Sequence, residues 1–500
     1  MLAELDSFVE NESLVACELP AGAVPCTAKW VFTMKTSPEV KKKARLVVRG
    51  FTQRHGLHYF QTFAPTVRPE SIRAICSTAA LLDLKLFQTD IKTAFLNGKM
   101  DADIYMRPAE GMQHHPVFRE MLRNAGPRTV LKVVGSVYGT KQAQRIWFKL
   151  LRKTLLEMGF TPTHADACVY VRKHGTDLIY LGVYVDDILS AVTSDAAQEW
   201  FLNELKKRFK ISHSIPAKKF VGVDIKQDLQ QGTVSLSMGS YLEELFEEAG
   251  LSNCNTATTP AKPGTQLWDD PDSPLTEATP YRSRVGALLF VARHRPDIAF
   301  SVNACARFMQ RPRQCHFQAS TRIMRYLRGT MHTPVVFCHR LTRSGLTAYA
   351  DSDWGGDRDS GRSTSACVVY FGGPIYWFSR LQRTPALSSA EAEYMSASDT
   401  CATVLFCRQL LSEMLLSASG PTSIFTDSKS AIAIAADPIA HKRTKHINIR
   451  YHFIRSHSIR QHIDLRWTPG QGNIADLLTK PVSAKVFDDL LPGLLGLLTF

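Results

Sequence analysis

The stretch DLIYLGVYVDDILSAV, residues 177–192, constrains the fold more than any other part of the chain. Two runs rich in Val, Ile, Leu and Tyr flank a pair of adjacent carboxylates, Asp186 and Asp187. β-Branched and aromatic runs of this length read as strands, and the short break between them reads as a tight hairpin. Such a turn presents the carboxylates at the rim of a sheet. Charged groups are rarely buried without a partner, because the ionised form loses its hydration. Two adjacent carboxylates in a partly dry site raise at least one pKa unless a cation compensates them. A divalent ion is the obvious compensator, and oxygen-only ligation with no Cys or His close in sequence favours Mg²⁺ or Mn²⁺ over zinc. The competing reading is a solvated Asp-Asp turn, since Asp is common in turns for backbone reasons alone.

The chain has 500 residues, which suggests about three domains. Lys plus Arg number 60 against 46 Asp plus Glu, a net charge of +14. A globular chain this basic tends to meet a polyanion, with nucleic acid the leading candidate. The excess is concentrated: Lys29 to Arg54 holds eight Lys or Arg against one acid, Glu39, and His441 to His462 holds six Lys or Arg, five His and no acid. Either run alone could be a solvated face. Eleven cysteines without a CxxC spacing argue for reduced thiols in an intracellular protein and against a disulfide framework or zinc site. The N-terminus MLAELDSFVE is acidic and lacks an apolar core, and no apolar run approaches the roughly 18 residues of a membrane span, so no membrane partner is expected. The C-terminal LLPGLLGLLTF, broken by Pro492 and Gly493, reads as a packing segment or a frayed tail.

Residues 1 to about 250 alternate β-rich and helical patterns. TTPAKPGTQLWDDPDSP (258–274) reads as a linker or long loop, and the arginine-rich segment 281–330 has helical spacing and reads as a basic connector. After Leu346 the pattern runs strand, strand, strand, helix, strand, helix, a separate α/β domain ending near Lys480.

A second carboxylate joins the first pair. LFQTDIKTAFLNG (86–98) places Asp90 after a short strand, from which it can converge on the same ions. QTDIKTAFLNG together with YVDDIL resembles motifs A and C of a reverse transcriptase, in the form typical of Ty1/copia retrotransposon polyproteins. KWVF (29–32), KARLVVRGFTQRHGLHYFQTFAPTVR (43–68), VYGTKQAQRIWF (137–148) and RPDIAFSV (295–302) agree with it, in the family's order. The resemblance implies a fingers and palm polymerase in which Asp90, Asp186 and Asp187 hold two Mg²⁺ ions, one lowering the pKa of the primer 3′-hydroxyl and both bracing displacement at the α-phosphate. It implies that Phe95 is an aromatic gate against a ribose 2′-OH, the alternative being an ordinary core Phe. Lys43 and Arg45 would meet the incoming triphosphate, while Gly139, Gln142 and Tyr184 complete the expected nucleotide-binding set. Thr140 and Gln144 depart from the family, which usually has Leu after the Gly and Pro after QA.

The second constellation lies in the C-terminal domain. Asp351 ends the β-like run in LTAYADSDW, and Ser388-x-x-Glu391 is a capping-box pattern that starts a helix and places Glu393 in its first turns. Asp427 closes the short strand in SIFTDSKSA, and Asp476 follows TPGQGN near the start of a third helix. Any one alone reads more often as an N-cap or solvated acid than as a metal ligand. The order resembles a ribonuclease H domain, with ALSSAEAEY, RTKHINIRYHFIR and ADLLTKP close to the Ty1/copia version. By that resemblance Asp351, Glu393, Asp427 and Asp476 bind two Mg²⁺ for cleavage of RNA in a hybrid. Asp353 is a weaker candidate, and no His stands where many cellular ribonucleases H carry one. Within HKRTKHINIRYHFIRSHSIR (441–460), Lys442, Arg443, Lys445, Arg450 and Arg455 are candidate contacts to the hybrid backbone.

The expected fold is α+β and α/β multidomain: fingers and palm in 1–255, a thumb or connection with its Pro-rich linker in 256–340, a ribonuclease H-like domain in 341–480, and a tail in 481–500. The expected function is RNA-directed DNA polymerase with ribonuclease H activity. Its partners would be an RNA template, DNA primer, RNA/DNA hybrid, deoxynucleoside triphosphates and other parts of the polyprotein. Cytoplasmic particles with later nuclear entry are what the family implies. The alternative is a decayed or domesticated copy that binds nucleic acid without catalysis.

Overall fold

The structure, a computed structural model, describes all residues except 36–40, 124–125, 340–344, 417–419, 437–447 and 499–500. The central sheet has six antiparallel strands in the order Ile211–Pro216, Lys85–Ile91, Asp187–Val192, Asp177–Tyr184, Val169–His174 and Thr161–Pro162. Ile179, Tyr180, Leu181 and Val183 are all buried, so neither face of the hairpin strand meets water. That explains why the run reads as continuously apolar and not as alternating. Helices Pro69–Leu81 and Asp195–Lys206 pack against this sheet.

In front of it stand the hairpin Ala28–Lys35 with Lys41–Val48 and a three-stranded sheet of Leu14–Glu18, Thr129–Gly135 and Lys99–Met106. Leu2–Glu10 forms a helix that closes this unit's core with Leu5 and Phe8, an element the acidic N-terminus did not suggest. A four-stranded sheet takes Lys219–Phe220, Val223–Asp228 and Thr233–Ser237 from one side of residue 255 and Val335–Cys338 from the other, crossing the expected boundary. Between them lie helices Ala278–Ala292, Ala299–Ala306 and Gln314–Gly329, the helical connector.

The C-terminal unit is a mixed sheet in the order Pro374–Leu381, Thr364–Tyr370, Thr347–Ser352, Thr422–Thr426 and Ile463–Trp467, with the last two pairings parallel. Helix Ser389–Glu413 crosses it, started as expected by Ser388 Oγ accepting from the Glu391 N–H. The edge strand Ile463–Trp467 escaped the sequence reading: it is short, and its charged Asp464 and Arg466 pair with each other at the surface. Residues 484–494 are not a tail but a helix that buries Phe487, Leu490 and Leu494 against the connector. Pro492 is accommodated in its last turn.

The units share cores. Side chains of the six-stranded sheet and of helix Ser389–Glu413 belong to one continuous apolar cluster. Tyr180 donates to Met414 O at 2.8 Å, and the Ala165 N–H donates to Glu413 Oε2 at 2.9 Å.

Candidate active sites

The YVDD hairpin is joined by Val185 and Asp186 as a two-residue turn, with Val185 at φ 57°. A β-branched residue rarely takes positive φ, and such strain persists where the surroundings over-determine it. Here Trp147 Nε1 donates to Val185 O at 2.7 Å, and the Ile91 N–H donates to Asp186 O at 3.0 Å. Asp187 is the cross-strand partner of Asp90. Asp90 and Asp187 therefore stand opposite each other at one rim of the central sheet, with Asp186 in the turn beside them. Burial pushes the Asp186 pKa up and the charge of Asp90 adds to this, while Arg45 and Lys43 of the Lys41–Val48 strand pull it back. The predicted basic pair thus faces the predicted acids.

Phe95 sits in the turn Ala94–Asn97, its ring edge-on to Tyr138 at 5.2 Å. Arg45 lies 5.8 Å from the centre of the Tyr138 ring. Burial lifts the Tyr138 hydroxyl to about 12, and it feels the charges of Glu4, Arg45, Asp186 and Asp90. Tyr138 and Trp147 are site residues that the sequence reading quoted in VYGTKQAQRIWF without assigning them a role. Tyr184 is half-buried against the core, opposite Asp187.

Gly139 has φ 86°, and a Cβ there would lie 2.2 Å from Val48 O. Its place follows from close approach to strand Lys41–Val48, a requirement only glycine meets. Gln142 is corrected: expected to line the nucleotide pocket, it is fully buried. Its Nε2 donates to His58 O at 2.8 Å and its Oε1 accepts from Gln53 Nε2 at 2.9 Å. A buried amide with both ends satisfied holds a loop in place and reads no ligand.

The second cluster is tighter. Among the described residues, Asp351, Asp427 and Asp476 are the one acidic, His or Cys trio whose ligand oxygens all lie within 4.8 Å of one another. Glu393 stands beside them on its helix, Oε1 accepting from the Ser352 N–H at 3.2 Å. Burial, and then the neighbouring carboxylates, push Asp351, Glu393 and Asp427 above the ordinary carboxylate range. Asp351 also accepts from Thr479 Oγ1 and, at 3.5 Å, from Asn473 Nδ2. Asp476 lies in a short 3-10 turn, Ile474–Leu478, and not in a full helix. Its Oδ2 meets Lys480 Nζ at 3.0 Å, while its buried Oδ1 has no hydrogen-bond partner. Burial opposes the Lys480 charge, yet Asp351 and Asp476 outweigh it and hold its pKa up. Lys480, four residues beyond Asp476 in ADLLTKP, was legible as an i, i+4 partner but not singled out.

Asp353 accepts from the Thr364 N–H and is pushed up to about 6, chiefly by burial. Arg450 is corrected: its Nη1 pairs with Asp399 at 2.8 Å and donates to Met395 O at 3.0 Å, so it braces helix Ser389–Glu413. Arg455 is half-buried on Asn448–Ile459. Lys442, Arg443 and Lys445 lie outside the described residues.

Residues 11–263 match the family described as reverse transcriptase (RNA-dependent DNA polymerase). The chain belongs to this family. Over 98% of its length this reverse transcriptase chain is 34% identical to the retrovirus-related Pol polyprotein from transposon RE1 of Arabidopsis thaliana, covering 33% of that protein. It is likewise 34% identical, over 98% of the chain, to the Pol polyprotein from transposon TNT 1-94 of Nicotiana tabacum, covering 37%. It thus spans about a third of the curated relatives it matches. A foamy viral protease-reverse transcriptase, solved with double-stranded DNA, shares its fold with a TM-score of 0.51 at 12% identity, over 93% of this chain and 68% of that one. No helix among the described residues is long and apolar enough to cross a membrane.

Proposed function

We propose that this chain is an RNA-directed DNA polymerase and a ribonuclease H, with two separate carboxylate centres. The observation that carries the reading is that Asp351, Asp427 and Asp476, far apart in sequence, come within ligand distance of one another beside Glu393, while Asp90 and Asp187 pair across strands next to Asp186. Both groups suit a hard divalent cation. Their donors are all oxygen, burial and then neighbouring carboxylates raise the pKa of Asp186 in the first and of Asp351 and Glu393 in the second, and Asp476 Oδ1 is buried without a partner. Asp90, Asp186 and Asp187 would hold Mg²⁺ or Mn²⁺ at the first centre, and Asp351, Glu393, Asp427 and Asp476 at the second. When bound, such ions supply a more acidic hydroxyl or water and a counter-charge for phosphoryl transfer.

The chain's own residues do the rest. Arg45 and Lys43 bring positive charge to the rim where a triphosphate would lie. The Phe95 ring, braced edge-on by Tyr138, would exclude a ribose 2′-hydroxyl. At the second centre Asn473, Thr479 and the Ser352 N–H orient Asp351 and Glu393. The test is a pair of substitutions. Asp186→Asn should abolish primer extension on RNA while hybrid RNA cleavage persists, and Asp427→Asn should do the reverse. Loss of both activities from either folded variant would refute two separate centres.

A further inference from the structure

Glu4 lies in the first turn of helix Leu2–Glu10, where a carboxylate ordinarily does no more than complement the positive end of the helix dipole. Here it reaches elsewhere. Its Oε1 accepts from the Leu46 N–H at 3.3 Å. Leu46 belongs to strand Lys41–Val48, which forms a two-stranded sheet with Ala28–Lys35 and so leaves every second N–H pointing away from its partner. Leu46 and Val48 are two residues apart and both fully buried, so these outward N–H groups need another acceptor. The Val48 N–H finds Tyr138 O at 2.9 Å, and the Leu46 N–H finds Glu4.

This pin stands where the strand leaves the core. Beyond it Arg45 and Ala44 are half-buried, and Lys43 and Lys42 are exposed. Leu46 packs with Leu5 and Phe8 of the helix, so Arg45 turns to the opposite face of the strand and Lys43 with it. That face meets the carboxylate rim: Arg45 lies 5.8 Å from the centre of the Tyr138 ring, and the charges of Arg45 and Lys43 act on Asp186. Glu4 feels the same two cations, and of the charges around Tyr138 that of Glu4 acts most strongly. Burial raises the Glu4 pKa, while the Leu46 N–H, Arg45 and Lys43 draw it back. A half-dry carboxylate is thus kept against its own burial, and what it holds is the stretch of strand that carries both cations.

We propose that Glu4 is a positioning residue for the incoming triphosphate: it pins the Leu46 amide and thereby holds Arg45 and Lys43 at the rim of the first centre. That the cations meet a triphosphate rests on the polymerase reading; that Glu4 pins the strand does not. Two substitutions separate acceptor from charge. Glu4→Ala removes both, whereas Glu4→Gln keeps an amide oxygen that can accept from Leu46 and carries no charge. The helix survives either change, because Leu5 and Phe8 hold it and Ala and Gln are good helix formers. The full chain is then measured in two ways: amide hydrogen exchange at Leu46, and KM and kcat for a deoxynucleoside triphosphate in single-nucleotide extension of a primer on RNA. Glu4→Ala should speed exchange at Leu46 and raise KM, each by about tenfold, with kcat and primer-template affinity within about twofold of native. Glu4→Gln should match the native chain in both measurements.

Native exchange at Leu46 in Glu4→Ala, or a native KM, would overturn the proposal. So would a Glu4→Gln variant as impaired as Glu4→Ala, which would make the charge and not the acceptor decisive. A fall in kcat or in primer-template affinity as large as the rise in KM would mark a general loss of structure and overturn it too. If the native chain extends no primer, the polymerase reading fails and the triphosphate role with it, and exchange at Leu46 alone decides the pin.

Discussion

Replacing Arg73 by Met should loosen the joint between the central-sheet unit and the C-terminal unit. Arg73 stands on helix Pro69–Leu81 beneath the polymerase sheet and is 2% exposed. Its Nε donates to Ile375 O at 2.7 Å, its Nη1 to Arg293 O at 2.7 Å, and the guanidinium lies 3.8 Å from the centre of the Trp377 ring. One side chain ties the palm helix to the C-terminal sheet and the connector. Burial pulls its pKa from 12.5 to about 10, so it stays charged at neutral pH while about 3 kcal/mol stands against the ion. Against that, two hydrogen bonds from a charged donor are worth about 1.5–3 kcal/mol each, and a desolvated cation over Trp about 2. The net contribution is then about 2–5 kcal/mol, and Met should lose it, since it fills the space but leaves two buried carbonyls unpaired. Denaturant unfolding followed by tryptophan fluorescence reads the loss directly. With separate probes on the two units, the single native transition should split. A loss below about 1 kcal/mol, or an Arg73→Lys variant as stable as the native chain, would refute the reasoning, because Lys cannot make both bonds and stack.

Trp147→Phe removes the donor that holds Val185 O and so frees the Asp186 turn. Primer extension should fall by about tenfold to a hundredfold, the cost of roughly an ångström of misplacement, while hybrid cleavage in the same preparation is unaffected. A second expectation concerns pH. Asp351 and Glu393 have folded pKa values raised by burial, and Asp353 is raised from 3.8 to about 6. A folded state that holds protons the unfolded state has released becomes less stable as pH rises through that window. In chelator, the contribution of these acids should therefore make the melting temperature fall from mildly acidic to neutral pH. Glu393→Gln should flatten the fall, and added Mg²⁺ should reverse it. A melting temperature equally pH-dependent in Glu393→Gln would count against the cluster.

Much of this was legible because the decisive chemistry is local. The apolar runs around Asp186 demanded a hairpin, and Ser388 with Glu391 demanded a helix start. Both formed as expected, since a turn and an N-cap depend on a few neighbouring residues. The acids stand at the ends of elements that the pattern of side chains marked, but it was the resemblance to a known family, and not the pattern, that singled them out. What the pattern could not carry was which polar groups would find each other. Gln142 and Arg450 looked like ligand contacts, yet one is consumed by Gln53 and His58 and the other by Asp399.

The sequence by itself determined the carboxylate hairpin and the start of helix Ser389–Glu413, because turn and cap chemistry act over a handful of residues, and its resemblance to a known family named the acids. Only the tertiary structure decided that Asp90 lies opposite Asp187, that Lys480 lies against Asp476, and that Arg73 joins the palm helix to the C-terminal sheet. It alone set the Glu4 carboxylate against the Leu46 N–H. Such pairings are set by which surfaces meet once the cores close, and a burial pattern read along one strand contains no information about the face it will find.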